Sequence, residues 1–256
     1  MSAVDEQRKS HYLDSVCQAL KSQESAPHIE AFVGMFYERV PTSELLMVPV
    51  EESAQIALDF FRFVSQKKSA EPKLRVFNPT KETHGWSGDQ TIIEIANSDG
   101  PFLVDSVVLA LNSMGISAQL IIHPVMFVAR DSQGDLLDLK SDPQDGFSAE
   151  SLMHIEIAYQ RQASQLDRIQ RSIQSSLDQL HYAVRDWQPM VQKTREIAHE
   201  LNHTHQHMSP EQVKELSAFL NWMADDHFTF LGYREYLVED QEDDRVLRAV
   251  SESGLG

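Results

Sequence analysis

Residues 90–139 read QTIIEIANSDGPFLVDSVVLALNSMGISAQLIIHPVMFVARDSQGDLLDL and predict a strand, a helix and a second strand in that order. The first run is rich in β-branched residues, which favour a strand. Residues 97–100, Asn-Ser-Asp-Gly, are typical of a turn. Apolar residues then recur at helical spacing over residues 103–114, and Gly115 is placed to end the helix.

The start of this helix is a candidate anion site. We expect Asp99 or Ser98 to cap the helix and Pro101 to lie in its first turn, where its missing N–H costs no hydrogen bond. A helix N-terminus presents unpaired N–H groups and the positive end of the helix dipole. This end therefore suits a small anion such as the carboxylate of an amino acid.

The composition excludes several classes of function. The chain has 256 residues, 41% of them hydrophobic, and its net charge is −17 because 39 acidic residues oppose 22 basic ones. A charge of this sign repels nucleic acids and anionic membranes, so we expect neither as a partner. Cys17 is the single cysteine and cannot form an internal disulfide. With no apolar run of about 20 residues and a charged N-terminus, a cytoplasmic location is expected.

The segments on either side complete the predicted pattern. Amphipathic periodicity predicts helices over much of residues 1–70, and residues 74–77 form a short strand candidate. A later strand, residues 153–159, alternates apolar with polar residues, which predicts one buried and one wetter face. Long helices and a final hairpin follow. Since no closing element succeeds that hairpin, we expect the chain to be part of a longer protein.

Several motifs occur in a recognisable order. They are DGPFLVDSV at 99–107, His123-Pro124-Val125, Arg130-Asp131 with Gly134, Asp186-Trp187 with Met190, FLNWM at 219–223 with Asp226-His227-Phe228, and FLGYR at 230–234. Together they resemble the N-terminal region of the large bacterial NAD-specific glutamate dehydrogenases. The similarity covers most of the chain from about Phe32 onward.

The resemblance implies an α+β fold. We expect a ferredoxin-like or ACT-like antiparallel sheet packed with helices and preceded by a helical N-terminal subdomain. The implied domains are residues 1–70 (helical subdomain), 71–187 (ACT-like domain) and 188–256 (a helical linker and the start of another α+β domain). An ACT domain needs one more edge strand than residues 90–159 provide, and either 74–77 or 228–238 can supply it.

The resemblance also implies a function for the parent protein. The full enzyme would convert L-glutamate, NAD and water to 2-oxoglutarate, ammonia and NADH, while this chain would be its regulatory and assembly segment. The implied partners are the downstream catalytic domain, further copies of the same protein and an amino-acid effector. No G-x-G-x-x-G sequence follows a predicted strand here, so we expect this segment to bind no NAD or other cofactor and to be catalytically inert.

In ACT-like domains the turn after the first strand often holds the effector. The residues so implied are Asn97, Asp99, Gly100, Phe102, Leu103 and His123. A turn and a helix cap account for most of these residue types without any ligand, and a histidine before proline is common at a strand edge. The alternative function is therefore a purely structural oligomerisation module that binds no small molecule.

A different class of function is suggested by His199-Glu200-Leu201-Asn202-His203. This H-E-x-x-H pattern can place two zinc ligands, His199 and His203, on one face of a helix with Glu200 as general base. His205 and His207 are further candidate ligands. The pattern falls near a predicted helix end and includes no third ligand, so zinc hydrolysis is the remote alternative and adventitious metal binding the more ordinary one.

Overall fold

The structure is a computed structural model that describes residues 3–21, 28–68, 71–201, 208–241 and 244–256. It divides into two compact units, Met1–Leu177 and Asp178–Gly256. The elements of the first unit, in chain order, are α1 (Ala3–Lys21), α2 (Ile29–Tyr37), α3 (Thr42–Leu45), α4 (Val50–Val64), β1 (Lys73–Phe77), α5 (Lys81–His84), β2 (Gln90–Ser98), α6 (Leu103–Ser113), β3 (Ala118–Ile122), β4 (Val125–Arg130), β5 (Leu136–Lys140), β6 (Ser148–Ala158) and α7 (Ala163–Arg185), which runs on into the second unit.

The strands of the first unit form one antiparallel sheet around β6. Strand β2 pairs with β6 on one side, while β3 and β4 lie end to end along its other side. The outer positions belong to β1, beside β2, and β5, beside β4. The order is therefore β1-β2-β6-β4-β5, with β3 also on β6.

This order confirms the predicted ACT-like α+β fold. In a ferredoxin-like sheet the first strand lies between the third and the fourth, and here β2 lies between β6 and β1. The edge position that normally belongs to the last strand is thus filled by β1, which precedes the others in sequence. The expectation that residues 74–77 supply this strand is confirmed. The alternative, residues 228–238, is wrong, because the strand Tyr236–Gln241 pairs with Asp244–Ala249 in the second unit.

The N-terminal helices cover one face of the sheet. Aromatic side chains of α2 and α4 pack on one another, with Phe32 and Phe36 ring centroids 5.7 Å apart and Phe60 5.4 Å from Phe36. The same hydrophobic core includes sheet residues, among them Ala96, Met126 and Leu152. Helices and sheet therefore share one core, while the predicted domain boundaries after residues 70 and 187 stay predictions.

The opposite face of the sheet is also buried. Alternate side chains on β2 and β6 are fully enclosed there: Ile93, Ile95, Met153, Ile155 and Ile157. We assign the buried stripes of α6 and α7 to this face, because each helix directly follows a sheet strand and neither belongs to the first core. The sheet is thus the middle layer of three.

Strand β6 follows its predicted pattern in part. The polar side of the alternation was expected to be the wetter one, and towards the end of the strand Glu156 is partly exposed and Ala158 is exposed. His154 departs from the prediction, because it is 1% exposed. Glu150, earlier on the same face of the strand, is 4% exposed. These two side chains find charged partners underneath the helices rather than solvent.

One of these partners ties the end of α4 to the sheet. The Arg130 guanidinium donates to both carboxylate oxygens of Glu150, at 2.9 and 2.7 Å, and to the carbonyl of Val64 at 2.9 Å. Lys67 Nζ lies 3.4 Å from the same carboxylate. Two buried cations thus balance the carboxylate and the negative end of the helix dipole.

The turn between β4 and β5 is hydrogen bonded to the residues that follow α4. The N–H of Lys67 donates to the carbonyl of Gly134 at 2.9 Å. Asp131 Oδ1 accepts from the N–H groups of Gln133 and Asp135, and these bonds lower the pKa of Asp131. Gly134 has φ +93°, and a Cβ there would lie 2.3 Å from the Lys67 carbonyl oxygen. Residues 131–134, Asp-Ser-Gln-Gly, thus form the turn of a β-hairpin, which is a structure that these residue types favour.

Within the described ranges, the second unit contains four helical segments and a hairpin. Their bounds are the end of α7, α8 (Trp187–Leu201), α9 (Pro210–Trp222), a π-helical turn (Met223–His227), β7 (Tyr236–Gln241) and β8 (Asp244–Ala249). The capping box of α9, in which Ser209 and Gln212 cap each other, is present as the sequence indicates. Asp186 accepts from Arg185 and from the N–H of Gly256, and these contacts hold its pKa far below the usual range.

The contact at Gly134 gives a stability prediction. Gly134→Ala should destabilise the first unit by more than Gly146→Ala, because both glycines have positive φ but only Gly134 would place a Cβ against backbone. The conformational cost common to both changes is about 1 kcal/mol. The comparison is made by chemical denaturation. Equal losses in the two variants would contradict the proposed close contact with Lys67.

Candidate functional site

The turn between β2 and α6 differs in detail from its prediction. The N–H of Asp99 donates to the carbonyl of Ala149 at 2.9 Å, so sheet pairing continues past the end of β2. Helix α6 then begins at Leu103, with Phe102 as its N-cap residue and no side-chain cap bond. Capping by Asp99 or Ser98 is therefore wrong, and Pro101 lies before the helix. The reason is that Asp99 is still held against β6.

Phe102 and Gly100 have unexpected conformations for their residue types. Phe102 adopts φ +64°, a left-handed conformation that is uncommon for a bulky residue, and its ring is 56% exposed. Gly100 lies outside the left-handed region, and a Cβ there would meet nothing within 4 Å. The backbone strain of this turn therefore lies at Phe102 rather than at the glycine.

Two of the predicted residues, Asn97 and His123, lie against Ser151. Asn97 lies opposite Ser151 in the β2–β6 register. Across the other edge of β6, the His123 Nε2 atom is 2.5 Å from Ser151 Oγ, and Ser151 itself is fully buried. Asp99 is exposed, whereas Leu103 is buried and belongs to the interior. The structure thus brings Asn97 and His123 together, and it leaves Leu103 facing inwards.

His123 lies at a break in the sheet edge. Strands β3 and β4 follow the same side of β6, and His123-Pro124 separates them. The Pro124 carbonyl accepts from the N–H of Leu152 at 3.0 Å, which keeps the two strands aligned on β6. Burial lowers the pKa of His123, with a smaller opposite effect from Asp99 and a further lowering by Arg39. The imidazole is therefore biased toward its neutral form.

A small cavity opens beside His123. It has a volume of about 60 Å³ and lies between the end of α2 and the break between β3 and β4. Met35, Arg39 and Ser141 line it together with Ile122 and His123. Among the six predicted effector residues, His123 is the one on its wall. The cavity is large enough for a few water molecules.

A second polar cluster, which the sequence analysis did not predict, lies under the N-terminal helices. Glu94 and His154 face each other across β2 and β6, with Oε1 and Nδ1 3.0 Å apart and both side chains 1% exposed. The other oxygen of Glu94 accepts from Arg75 Nε at 2.6 Å. Arg75 also pairs with Asp59 of α4, Nη2 to Oδ2 at 2.8 Å. One charged chain thus joins the helix to three strands.

Aromatic rings enclose this cluster. The His154 ring lies 5.8 Å from Phe36 and 5.9 Å from Phe60, and the Arg75 guanidinium lies over Phe63 and Phe77. Glu156 Oε1 is 3.9 Å from His154 Nε2. Burial raises the pKa of Glu156, and His154 partly opposes that effect. With acidic groups on both ring nitrogens, the cluster is suited to holding elements together. The one sequence feature from which the cluster could have been predicted is Glu94, an acid inside an isoleucine-rich strand.

The zinc alternative falls partly outside the described residues. His199 and Glu200 lie in the last turn of α8, whereas His203, His205 and His207 belong to residues 202–207, which the structure does not describe. Within the described ranges, no group of three or more His, Cys, Asp or Glu side chains is placed to hold a metal ion. Over those same ranges, no helix is both long and apolar enough to cross a membrane.

Comparison with known proteins places this geometry in a family. The family model described as "Glutamate dehydrogenase, ACT1 domain" matches residues 32–173, which include every strand of the sheet and most of its helices. The chain belongs to the NAD-specific glutamate dehydrogenase family. It is 32% identical over 235 residues to the NAD-specific glutamate dehydrogenase of Pseudomonas aeruginosa and 33% identical over 242 residues to that of Halomonas elongata.

The NAD-specific glutamate dehydrogenases that it matches are much longer. The alignments cover 91% and 93% of this chain but 14% and 15% of the two relatives. The enzyme of the same name from Mycobacterium tuberculosis is 25% identical over 151 residues, which are 58% of this chain and 9% of that protein. The motifs at residues 99–107, 123–125 and 130–134 lie within the matched ACT1 region. The predicted resemblance to the N-terminal region of this family is confirmed.

The environment of His123 predicts a pH dependence of stability. Since its pKa is lower in the folded state than in the unfolded state, the unfolded chain binds the proton more readily. The contribution of this group to the free energy of unfolding is therefore lost as pH falls below about 6.5. Chemical denaturation at pH 7.5 and pH 5.5 should show a smaller acid-induced loss in His123→Gln than in the unmodified chain.

His11→Gln is the matched control for this experiment, because His11 is an exposed residue of α1. An acid-induced loss in His123→Gln as large as in the unmodified chain would contradict the effect assigned to burial of His123.

Proposed function

We propose that this chain is a regulatory and assembly segment of an NAD-dependent glutamate dehydrogenase and that it senses an amino acid. In the parent protein the deamination of L-glutamate and the binding of NAD belong to other parts of the polypeptide. The observation that carries the proposal is an ACT-like sheet, in a chain of this family, whose β2–α6 turn and β3–β4 break meet at Ser151. The effector site proposed is this end of the sheet.

The chemistry of this end suits a zwitterion. The carboxylate of Asp99 is exposed and has no hydrogen bond or ion pair within the described ranges, so it is available to an ammonium group. The first N–H groups of α6 begin at Leu103 without a side-chain cap and suit a carboxylate. Asn97 and His123 provide neutral hydrogen-bonding groups between them.

The turn is also connected to parts of the molecule that could transmit binding. Asp99 is hydrogen bonded to the beginning of β6, and Phe102 holds a strained conformation at the start of α6. A ligand that binds better to one arrangement of this turn shifts the equilibrium toward it by its differential affinity. In the parent enzyme, the conformation of α6 would change when a ligand occupies the site.

A thermal-shift screen tests the proposal. The chain is heated with each amino acid, 2-oxoglutarate or NAD, since a ligand that binds only the folded state raises apparent stability. The melting temperature should rise by about 3–5 °C with one amino acid, when its concentration is about ten times its Kd. The increase should be lost in Asp99→Ala and kept in Asp142→Ala, which changes another exposed acid of the same unit.

The outcomes separate the candidate functions. No shift with any compound, together with stable association of the chain, would overturn amino-acid sensing and favour a structural oligomerisation module. A shift with NAD alone would place cofactor binding in this segment and contradict the proposal. In the full-length enzyme, an unchanged effector response in Asp99→Ala would exclude Asp99 from the site.

A further inference from the structure

The cavity at the end of α2 has the chemistry of a carboxylate site. It lies between α2, the β3–β4 break and the residue after β5, all within the first unit. Its walls include two basic side chains, Arg39 and His123, and two apolar ones, Met35 and Ile122. A cavity with these walls suits a ligand that has a carboxylate at one end and a short hydrocarbon group at the other.

Arg39 is available for such a ligand. It follows the end of α2, it is exposed, and no hydrogen bond or ion pair links it to any residue in the described ranges. Arginine presents a planar fork of donors that matches a carboxylate in two-point contact. In a chain with a net charge of −17, an unpaired guanidinium on a cavity wall is a specific attraction for an anion.

His123 provides the second contact. Its Nε2 is hydrogen bonded to Ser151, which fixes the orientation of the ring while the side chain still lines the cavity. Three ionisable groups face it, Glu38 and Arg39 at the end of α2 and Asp99 after β2. An anion bound between His123 and Arg39 would favour the imidazolium form, so binding is coupled to uptake of a proton.

We propose that this cavity binds the carboxylate of a small carboxylic acid through Arg39 and His123, and that the physiological ligand is an α-amino acid with a short apolar side chain. This inference rests on the proposed function, which it narrows by naming the ligand class and by assigning the carboxylate to Arg39 and His123 instead of the N–H groups of α6. The small volume of the cavity, about 60 Å³, favours a ligand with a short side chain. The ammonium group of the amino acid lies beside Glu38, which lines the cavity, and towards Asp99, whose charge reaches His123.

The experiment is an NMR titration of the whole chain with four probes: L-alanine, L-glutamate, propionate and propylamine. Propionate and L-alanine should shift the resonances of His123 and of the cavity wall, L-alanine more strongly. Propylamine, which lacks a carboxylate, should not shift them. L-Glutamate should bind about tenfold more weakly than L-alanine, because its longer side chain exceeds the cavity.

Arg39→Gln should weaken propionate and L-alanine binding by roughly tenfold or more, which is the usual effect of losing a charge-assisted hydrogen bond. Arg161→Gln, which changes an exposed arginine at the start of the loop before α7, should leave binding unchanged. Affinity of the unmodified chain should rise as the pH is lowered from 8 to 6. That rise should be absent in His123→Gln, whose fold is checked by its amide spectrum.

The results distinguish this inference from the proposed function. Binding of an amino acid that persists in Arg39→Gln and depends on Asp99 alone would overturn the carboxylate site while leaving amino-acid sensing intact. Equal binding of propylamine and propionate would also overturn it. Absence of any binding by all four probes, with no hit in the thermal-shift screen, would overturn both.

Discussion

The first unit depends on charged side chains buried between its sheet and its N-terminal helices. The carboxylates of Glu94 and Glu150 face the helices, and each finds a partner on another element, Arg75 and His154 for Glu94 and Arg130 for Glu150. An uncompensated charge in such a position costs several kcal/mol, whereas a fully paired one is close to neutral. The pairs therefore add little to the total stability of the fold. Their main effect is to favour one arrangement of the helices on the sheet.

This constraint explains the arrangement of the other elements. Arg75 must lie beside Glu94, which places β1 at the edge of the sheet that a later strand fills in other ferredoxin-like folds. Arg130 must reach both Glu150 and the last carbonyls of α4, so the β4–β5 turn packs against the residues after that helix. Gly134 permits the approach, since any side chain there would collide with Lys67.

Local patterns in the sequence predict local structure here. They fail where contacts between residues far apart in the sequence determine the structure. The strand, helix and strand of residues 90–130 follow from β-branched runs, helical periodicity and glycines, and they are confirmed. The polar side of β6 is predicted to be wet at His154 as well, because a period of two cannot show that His154 contacts Glu94, 60 residues earlier. The start of α6 was misplaced for a similar reason, since the bond from Asp99 to Ala149 is not visible in the turn residues themselves.

The candidate site shows the same division. Asn97 and His123 were named from the turn and the family motifs, and the structure places both against Ser151, which no pattern in the sequence singled out. Arg39 was missed because it follows an ordinary amphipathic helix, and its position on a cavity wall depends on how that helix packs. A resemblance to a regulatory domain thus locates the relevant end of the sheet, while the contacts that give it chemistry come from the fold.

The central claim is that the N-terminal helices and the sheet form one cooperative structure joined by the buried charges. Native-state hydrogen exchange measures it directly, through the opening free energies of amides in α4 and in β6. We predict equal values for the two elements in the unmodified chain, because neither can open without exposing Glu94 and Glu150. A clearly lower value for α4 than for β6 would show that the helices open separately, and that result would contradict the account.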